Sequence, residues 1–158
     1  MNRSLFYEKN IIKYISNTNS KILVIGADTL DEEMFKKLGF SNVTYSNLNL
    51  NKNKDSNFLN LEMQNLSVES ESFDYCVAHA CVHHSSKPHN SILEMYRVAK
   101  KGVLVIEAND CFLVRLACKL KLAEEYEHSA IRKNKTHGGV DNTNINIIKI
   151  KVKDCCKK

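Results

Sequence analysis

The sequence predicts a doubly wound α/β domain on a mainly parallel sheet, and three observations carry that expectation. Lys21-Ile22-Leu23-Val24-Ile25 runs apolar into Gly26 with no polar alternation, the pattern of a strand buried on both faces. Phe73-Asp74-Tyr75-Cys76-Val77-Ala78-His79 and Val103-Leu104-Val105-Ile106 read as further buried strands. Segments with helical apolar spacing and helix punctuation separate these runs, so strand and helix alternate. With 158 residues and 43% hydrophobic content the chain makes one domain with a sizeable core, short for a complete doubly wound enzyme.

Taken in order, residues 4–16 place Leu5, Ile11, Ile12 and Ile15 at helical spacing, predicting a helix across the ligand face of the sheet. The loop Asn17-Thr18-Asn19-Ser20 leads into the first strand. Thr29 is positioned to cap the next helix, whose first turn holds Asp31, Glu32 and Glu33. Leu30, Met34, Phe35 and Leu38 give that helix its apolar face, and Gly39 ends it. Val43-Thr44-Tyr45-Ser46 is rich in β-branched and aromatic residues and reads as strand two, ending at Asn47. Residues 48–60 are polar and carry little signal, apart from a short third strand within residues 58–61. A polar linker, Val68-Glu69-Ser70-Glu71-Ser72, precedes the strand that ends at His79.

A helix then follows, with Ser86 as cap and Pro88, the only proline, in its first turn. Ile92, Leu93, Met95, Tyr96 and Val98 mark its inner side and Gly102 its end. Val103-Leu104-Val105-Ile106 forms strand five, with Glu107 at its tip. Phe112, Leu113, Leu116, Ala117 and Leu120 predict a further amphipathic helix from Asp110 to about Leu122.

In an open parallel sheet, ligands bind at the carboxyl ends of the strands, so Gly26-Ala27-Asp28 is the expected binding turn. A bare strand-turn-helix unit of any α/β domain is the competing reading. A dinucleotide fingerprint needs three glycines for close approach to a pyrophosphate, and the later two positions here hold Asp28 and Leu30. A carboxylate there repels phosphate. S-adenosylmethionine carries a sulfonium and an ammonium and no phosphate, so it suits the acidic turn better. Nucleoside triphosphates are disfavoured too, because no Gly-Lys-Ser or Gly-Lys-Thr phosphate loop occurs. The tip of strand two faces the ribose in such sheets, and Asn47 can accept one hydrogen bond and donate another. A residue chosen for turn chemistry alone is the alternative for Asn47.

Composition excludes several classes. The net charge of +5 comes from scattered basic residues, with an excess in a tail that lacks aromatics, so no nucleic-acid partner is expected. Residues 1–13 contain Arg3, Glu8 and Lys9 and no long apolar stretch, which predicts neither a signal peptide nor a membrane span and a cytoplasmic location. The cysteines at 76, 81, 111, 118, 155 and 156 form no regular framework and should remain thiols. Cys76, Cys81, Cys111 and Cys118 lie in apolar runs and read as small buried hydrophobes. Cys76, His79, Cys81, His83, His84 and His89 cluster in sequence, but strand alternation turns Cys76 away from His79, Cys81 and His83. No metal site is expected.

Three segments together resemble the successive motifs of class I S-adenosylmethionine-dependent methyltransferases, in their small-molecule, type 11-like branch. They are residues 22–28, Glu62 with Phe73-Asp74-Tyr75, and Glu94-Met95-Tyr96-Arg97-Val98-Ala99-Lys100-Lys101-Gly102. Val82-His83-His84, Pro88-His89 and Gly138-Gly139-Val140-Asp141-Asn142-Thr143 are similar to a bacterial subgroup often found beside glycosyltransferases. The resemblance implies a Rossmann-like fold in which Gly26, Ala27 and Asp28 line the methionine part of the cofactor and Asn47 meets the ribose. It also implies that Glu62, with Met63 beside it, takes the position of the acid that bonds the adenine amino group. His79 and Ala80 would lie under the sulfonium. Two positions depart from the family pattern: Val24 replaces an acid, and only the first turn glycine is kept.

Methyl transfer is an in-line displacement that positioning accelerates, and it needs a base only where the acceptor must lose a proton. His83 and His84 are the candidates for that base; ordering of the loop is their competing role. The expected function is methyl transfer to a small-molecule acceptor, a sugar or lipid-linked precursor of surface polysaccharide. The alternative is a truncated noncatalytic remnant that serves as a binding module. The expected organisation is an N-terminal helix and linker at 1–19, a core at 20–143 and a divergent basic tail at 144–158. The resemblance stops in that tail, which predicts a truncated or frameshifted product whose sheet lacks its last strands. Strand five would then be an edge through which chains can associate, unless Ile148, Ile150 and Val152 pair with it.

Overall fold

The structure is a computed structural model describing residues 3–48, 57–107 and 149–150. In chain order these form α1 (Arg3–Tyr14), β1 (Ile22–Ile25), α2 (Thr29–Lys37), β2 (Val43–Ser46), β3 (Phe58–Leu59), β4 (Phe73–His79), a 3-10 turn (Val82–His84), α3 (Pro88–Val98), β5 (Ala99–Ile106) and β6 (Lys149–Ile150). The sheet runs β3-β2-β1-β4-β5-β6. Its first five strands are parallel, and β6 pairs antiparallel with β5 through Val103–Ile150 and Leu104–Lys149. Ile150 thus pairs with strand five as the alternating tail allowed, while residues 148 and 152 lie outside the described residues. So do the helix expected at 110–122, the motif at 138–143 and the cysteines at 111, 118, 155 and 156.

Every residue of β1 is buried because the strand is central and both of its faces are covered. Leu23 and Ile25 point into one apolar cluster with Cys76, Ala78, Val103 and Val105, against Ile92, Met95 and Val98 of α3. Ile22 and Val24 point into the other with Val77, Leu104 and Ile106, against α1 and α2. Period-two alternation on three adjacent strands therefore divides the core into two layers on either side of the sheet.

The helices present narrower faces than the sequence suggested. On α1 the inward stripe is Tyr7 and Ile11, continued by Ile15 just past the helix end, while Leu5 and Ile12 are exposed. On α2, Phe35 is the fully buried anchor and Leu30 lies at 67% exposure. Ile92, Met95 and Val98 form the α3 stripe at intervals of three, which leaves Leu93 and Tyr96 outside. Ser86 does not cap α3: Lys87 holds that position without a side-chain bond, and Ser86 pairs with Gln64 instead. The helix ends at Val98, well before Gly102. Residues 99–102 join β5, where Ala99 pairs with Phe73 and Lys101 reaches Asp74 at 2.9 Å.

Candidate functional site

Parallel register assembles the site. Ile25 pairs with Ser46 on one side and Ala78 on the other, so Gly26, Asn47 and His79 come level as the first residues to leave the carboxyl ends of three adjacent strands or to close them. His79 pairs with Ile106, which sets Ala80 level with Glu107. In an open parallel sheet this row is where a ligand crevice is expected.

The turn after β1 is held from several directions. Gly26 adopts φ +66°, and a Cβ there would come within 2.6 Å of the Cys81 Cβ. Ala27 donates its N–H to Ser46 O at 2.9 Å, and Asn47 Nδ2 donates to Ala27 O at 2.8 Å. Ala27 is buried in the core, and both its N–H and its carbonyl oxygen are engaged within the chain. Asp28, not Thr29, caps α2: its Oδ1 accepts the N–H groups of Leu30 at 2.9 Å and Asp31 at 3.2 Å. Asp31 Oδ2 accepts the Asp28 N–H in return at 2.9 Å, closing a capping box. The end of α2 that would hold a pyrophosphate is thus filled by the chain's own carboxylate.

Asp31 is also pushed up to about 6, chiefly by burial, which outweighs the lowering hydrogen bond from the Asp28 backbone. Its carboxyl faces the buried hydroxyl of Tyr7. Burial first, and then the Asp31 charge, raises the Tyr7 phenol well above its ordinary value. The Tyr7 ring stacks on His79 with centroids 4.0 Å apart, so α1 does lie against the tip of β4.

Glu62 is exposed on the segment after β3, bridged to Asn65, and Met63 packs against the α3-side core. Arg97 holds this segment through Leu66 O at 2.7 Å and Val68 O at 2.9 Å, while Glu94 Oε2 accepts the Leu66 N–H at 2.9 Å. Arg97 and Glu94 are themselves paired, Nε to Oε1 at 2.9 Å and Nη2 to Oε2 at 2.8 Å. Mutual attraction, led by the Arg97 hydrogen bond, holds the Glu94 carboxyl below its ordinary range.

Beyond β4 the chain passes through Ala80, at φ +50°, into Cys81 and the 3-10 turn. Glu107 at the tip of β5 organises this turn: its Oε1 accepts the N–H of Cys81 at 3.0 Å and of Val82 at 2.7 Å, and its Oε2 lies 2.6 Å from His83 Nδ1. His84 packs against His83 with ring centroids 4.0 Å apart. Cys81 donates its thiol to Ile25 O at 3.2 Å and Cys76 is fully buried, so both behave as the small core residues the sequence suggested. Burial raises both thiols, and Glu107 raises Cys81 further. Among the described residues, no group of three His, Cys, Asp or Glu side chains is arranged to hold a metal ion, and no helix is long and apolar enough to cross a membrane.

Sequence reasoning missed two of these residues. Tyr7 is the aromatic four positions before Ile11 and eight before Ile15, a spacing that could have marked it as part of the inner stripe. Glu107 was visible only as an acid at a strand tip; that it reaches His83 follows from the β4–β5 register.

The sequence pattern of the methyltransferase domain family matches residues 24–106, more than half of the 158-residue chain. The chain belongs to that family. No curated protein matches this methyltransferase domain. Among solved structures it is similar to one from Bacillus halodurans described as a methyltransferase, with TM-score 0.60 and 16% identity, covering 85% of this chain and 62% of that one. It is also similar to one from Anabaena variabilis described as a methyltransferase of an antibiotic biosynthesis pathway, with TM-score 0.57 and 17% identity over 71% of this chain and 47% of that one. The cyclase SpnF has the same fold, with TM-score 0.53 and 17% identity over 65% of this chain and 44% of that one. Identities this low speak for the fold alone. The methyltransferase domain described here spans less than two thirds of the length of each of these three proteins.

Proposed function

We propose that the domain binds S-adenosylmethionine over the carboxyl ends of β1, β2 and β4 and serves methyl transfer to a hydroxyl of a small molecule, such as a sugar or a lipid-linked precursor. The observation that carries this reading is the α2 terminus, filled by Asp28, together with membership of the methyltransferase domain family. A phosphate-bearing cofactor would find a carboxylate where it needs free N–H groups, whereas a cationic one finds favourable charge. When bound, S-adenosylmethionine supplies an electrophilic methyl group on its sulfonium.

The chain's residues then take these roles. Gly26, Ala27 and Asp28 line the methionine end, and the missing side chain of Gly26 makes room for Cys81 against the turn. Asn47, anchored to Ala27 O, offers its amide towards the ribose. Glu62 and Met63 receive the adenine, with Arg97 fixing the segment that follows them. His79 and Ala80 form the floor. His83 is the proton acceptor for a hydroxyl, with His84 packed beside it.

Hydrogen exchange with and without S-adenosylmethionine tests the placement. Slowed exchange in Gly26 to Asp28, Asn47 and Glu62 to Met63 supports it. Binding that leaves all three segments unchanged overturns it.

A further inference from the structure

Helix α1 rests on the sheet through one stripe, Tyr7 and Ile11 continued by Ile15, while Leu5 and Ile12 face solvent. Tyr7 is the polar member of that stripe and, at 3% exposure, sits where three elements meet. Its ring stacks on His79 at the tip of β4, and its hydroxyl faces the carboxyl of Asp31, which is 6% exposed in the first turn of α2. Asp31 in turn accepts the Asp28 N–H through Oδ2 and so belongs to the turn after β1. Lifting α1 would uncover together a buried acid, the ring at the tip of β4 and the turn that follows β1.

The surroundings of Asp31 offer its charge little support. Tyr7 faces it from α1, Tyr45 from β2, Cys81 from the turn after β4 and Asp28 from its own turn, with His79 behind the Tyr7 ring. Burial keeps both phenols and the thiol neutral, Asp28 is a second acid, and among the described residues none of the groups that shift Asp31 is a cation. An ionised carboxylate in such a place gains more from water than from one phenol, whereas a protonated one loses little by burial and can donate a hydrogen bond itself.

We infer that α1 is a cover over the tips of β1 and β4, latched through Tyr7 to Asp31, closed most firmly while Asp31 holds its proton and opening more readily once Asp31 is ionised. That the uncovered ground receives a cofactor rests on the reading above; the latch does not. Asp31 stands at about 6 under the closed helix and near an ordinary carboxyl value once water reaches it. Opening therefore releases a proton between those values, so the open population grows as the pH rises from about 4 to about 6 and then levels off.

Hydrogen exchange of the free protein, resolved by NMR and expressed as protection relative to an unstructured chain at the same pH, tests the latch without any cofactor, so its outcome is independent of the site reading. The amides of residues 8–14 are expected to be less protected than those of residues 23–25, and to lose about tenfold in protection between about pH 5 and pH 7.5. Asp31→Asn cannot ionise but keeps an oxygen for the Asp28 N–H, and its α1 should show no such loss. Tyr7→Phe keeps the ring on His79 and lacks the hydroxyl; its α1 protection at about pH 7.5 should fall about tenfold, because the charged acid loses a donor. Equal protection in α1 and β1 would mean that the helix leaves only when the whole domain unfolds, and would overturn the cover. Protection that does not change with pH, a pH-dependent loss that persists in Asp31→Asn and so belongs to another group such as His79, or a Tyr7→Phe protein with unchanged α1 protection would overturn the latch.

Discussion

Cys81 packs so closely on Gly26 that a Cβ on the glycine would lie 2.6 Å from the cysteine Cβ and 2.9 Å from its Sγ. The contact joins the β1 turn to the β4 turn. Cys81 cannot retreat, because its thiol is bonded to Ile25 O and its N–H to Glu107. Gly26→Ala must therefore strain a left-handed backbone and displace a fixed neighbour together. A loss of about 2–4 kcal/mol in unfolding free energy is expected, measured by urea denaturation. A loss below about 0.5 kcal/mol, the scale of an ordinary surface substitution, would show that the turn is not held as described.

Asp31 makes stability depend on pH in a direction opposite to that of most carboxylates. Its folded value of about 6 exceeds the ordinary 3.8, so the folded protein binds this proton more tightly than the unfolded chain. The contribution is complete below about pH 4 and is lost as the pH rises through about 6. Asp31→Asn keeps an oxygen for the Asp28 N–H and carries no charge. The stability of Asp31→Asn relative to wild type should thus grow by about 2–3 kcal/mol between about pH 4 and pH 7. Denaturation series at both pH values check this, and a difference that stays constant contradicts it.

Arg97 ties the end of α3 to the segment that follows Glu62. Arg97→Met retains much of the side-chain volume but removes the bonds to Leu66 O, Val68 O and Glu94. Because the pair is partly exposed, a stability cost of about 1–2 kcal/mol is expected. Faster hydrogen exchange at residues 66–70 should accompany it, with exchange in β1 unchanged. Equal acceleration in β1 would mean that Arg97 supports the whole domain and not this segment.

The buried strands were legible because burial on both faces leaves an unbroken apolar run, as in Ile22 to Ile25, and a glycine at the end of such a run announces the turn. The element order and the parallel sheet followed from those runs. Helix faces were less legible: Leu30, Leu93 and Tyr96 are apolar at plausible positions, yet the sheet touches only one stripe of each helix. The cap of α2 was misplaced by one residue, since Asp28 and Thr29 are both good caps and the choice depends on which side chain reaches the Leu30 and Asp31 N–H groups. At the site, the row of Gly26, Asn47 and His79 was accessible because each ends or follows a strand. The Glu107 contacts were not, since they span more than twenty residues of sequence and depend on the exact pairing of His79 with Ile106.

The motif around Arg97 shows how a sequence resemblance acquires a physical cause. Its arginine and the glutamate three residues earlier meet on one face of α3, and together they grip a segment about thirty residues upstream. The acid at position 62 lies just before that grip.

Calorimetric titration of the folded protein with S-adenosylmethionine and, separately, with NAD decides which cofactor the domain takes. Saturable binding of S-adenosylmethionine alone is predicted, abolished in Gly26→Arg and weakened in Glu62→Ala. Binding of NAD, or no binding of either by a protein shown to be folded, would contradict it.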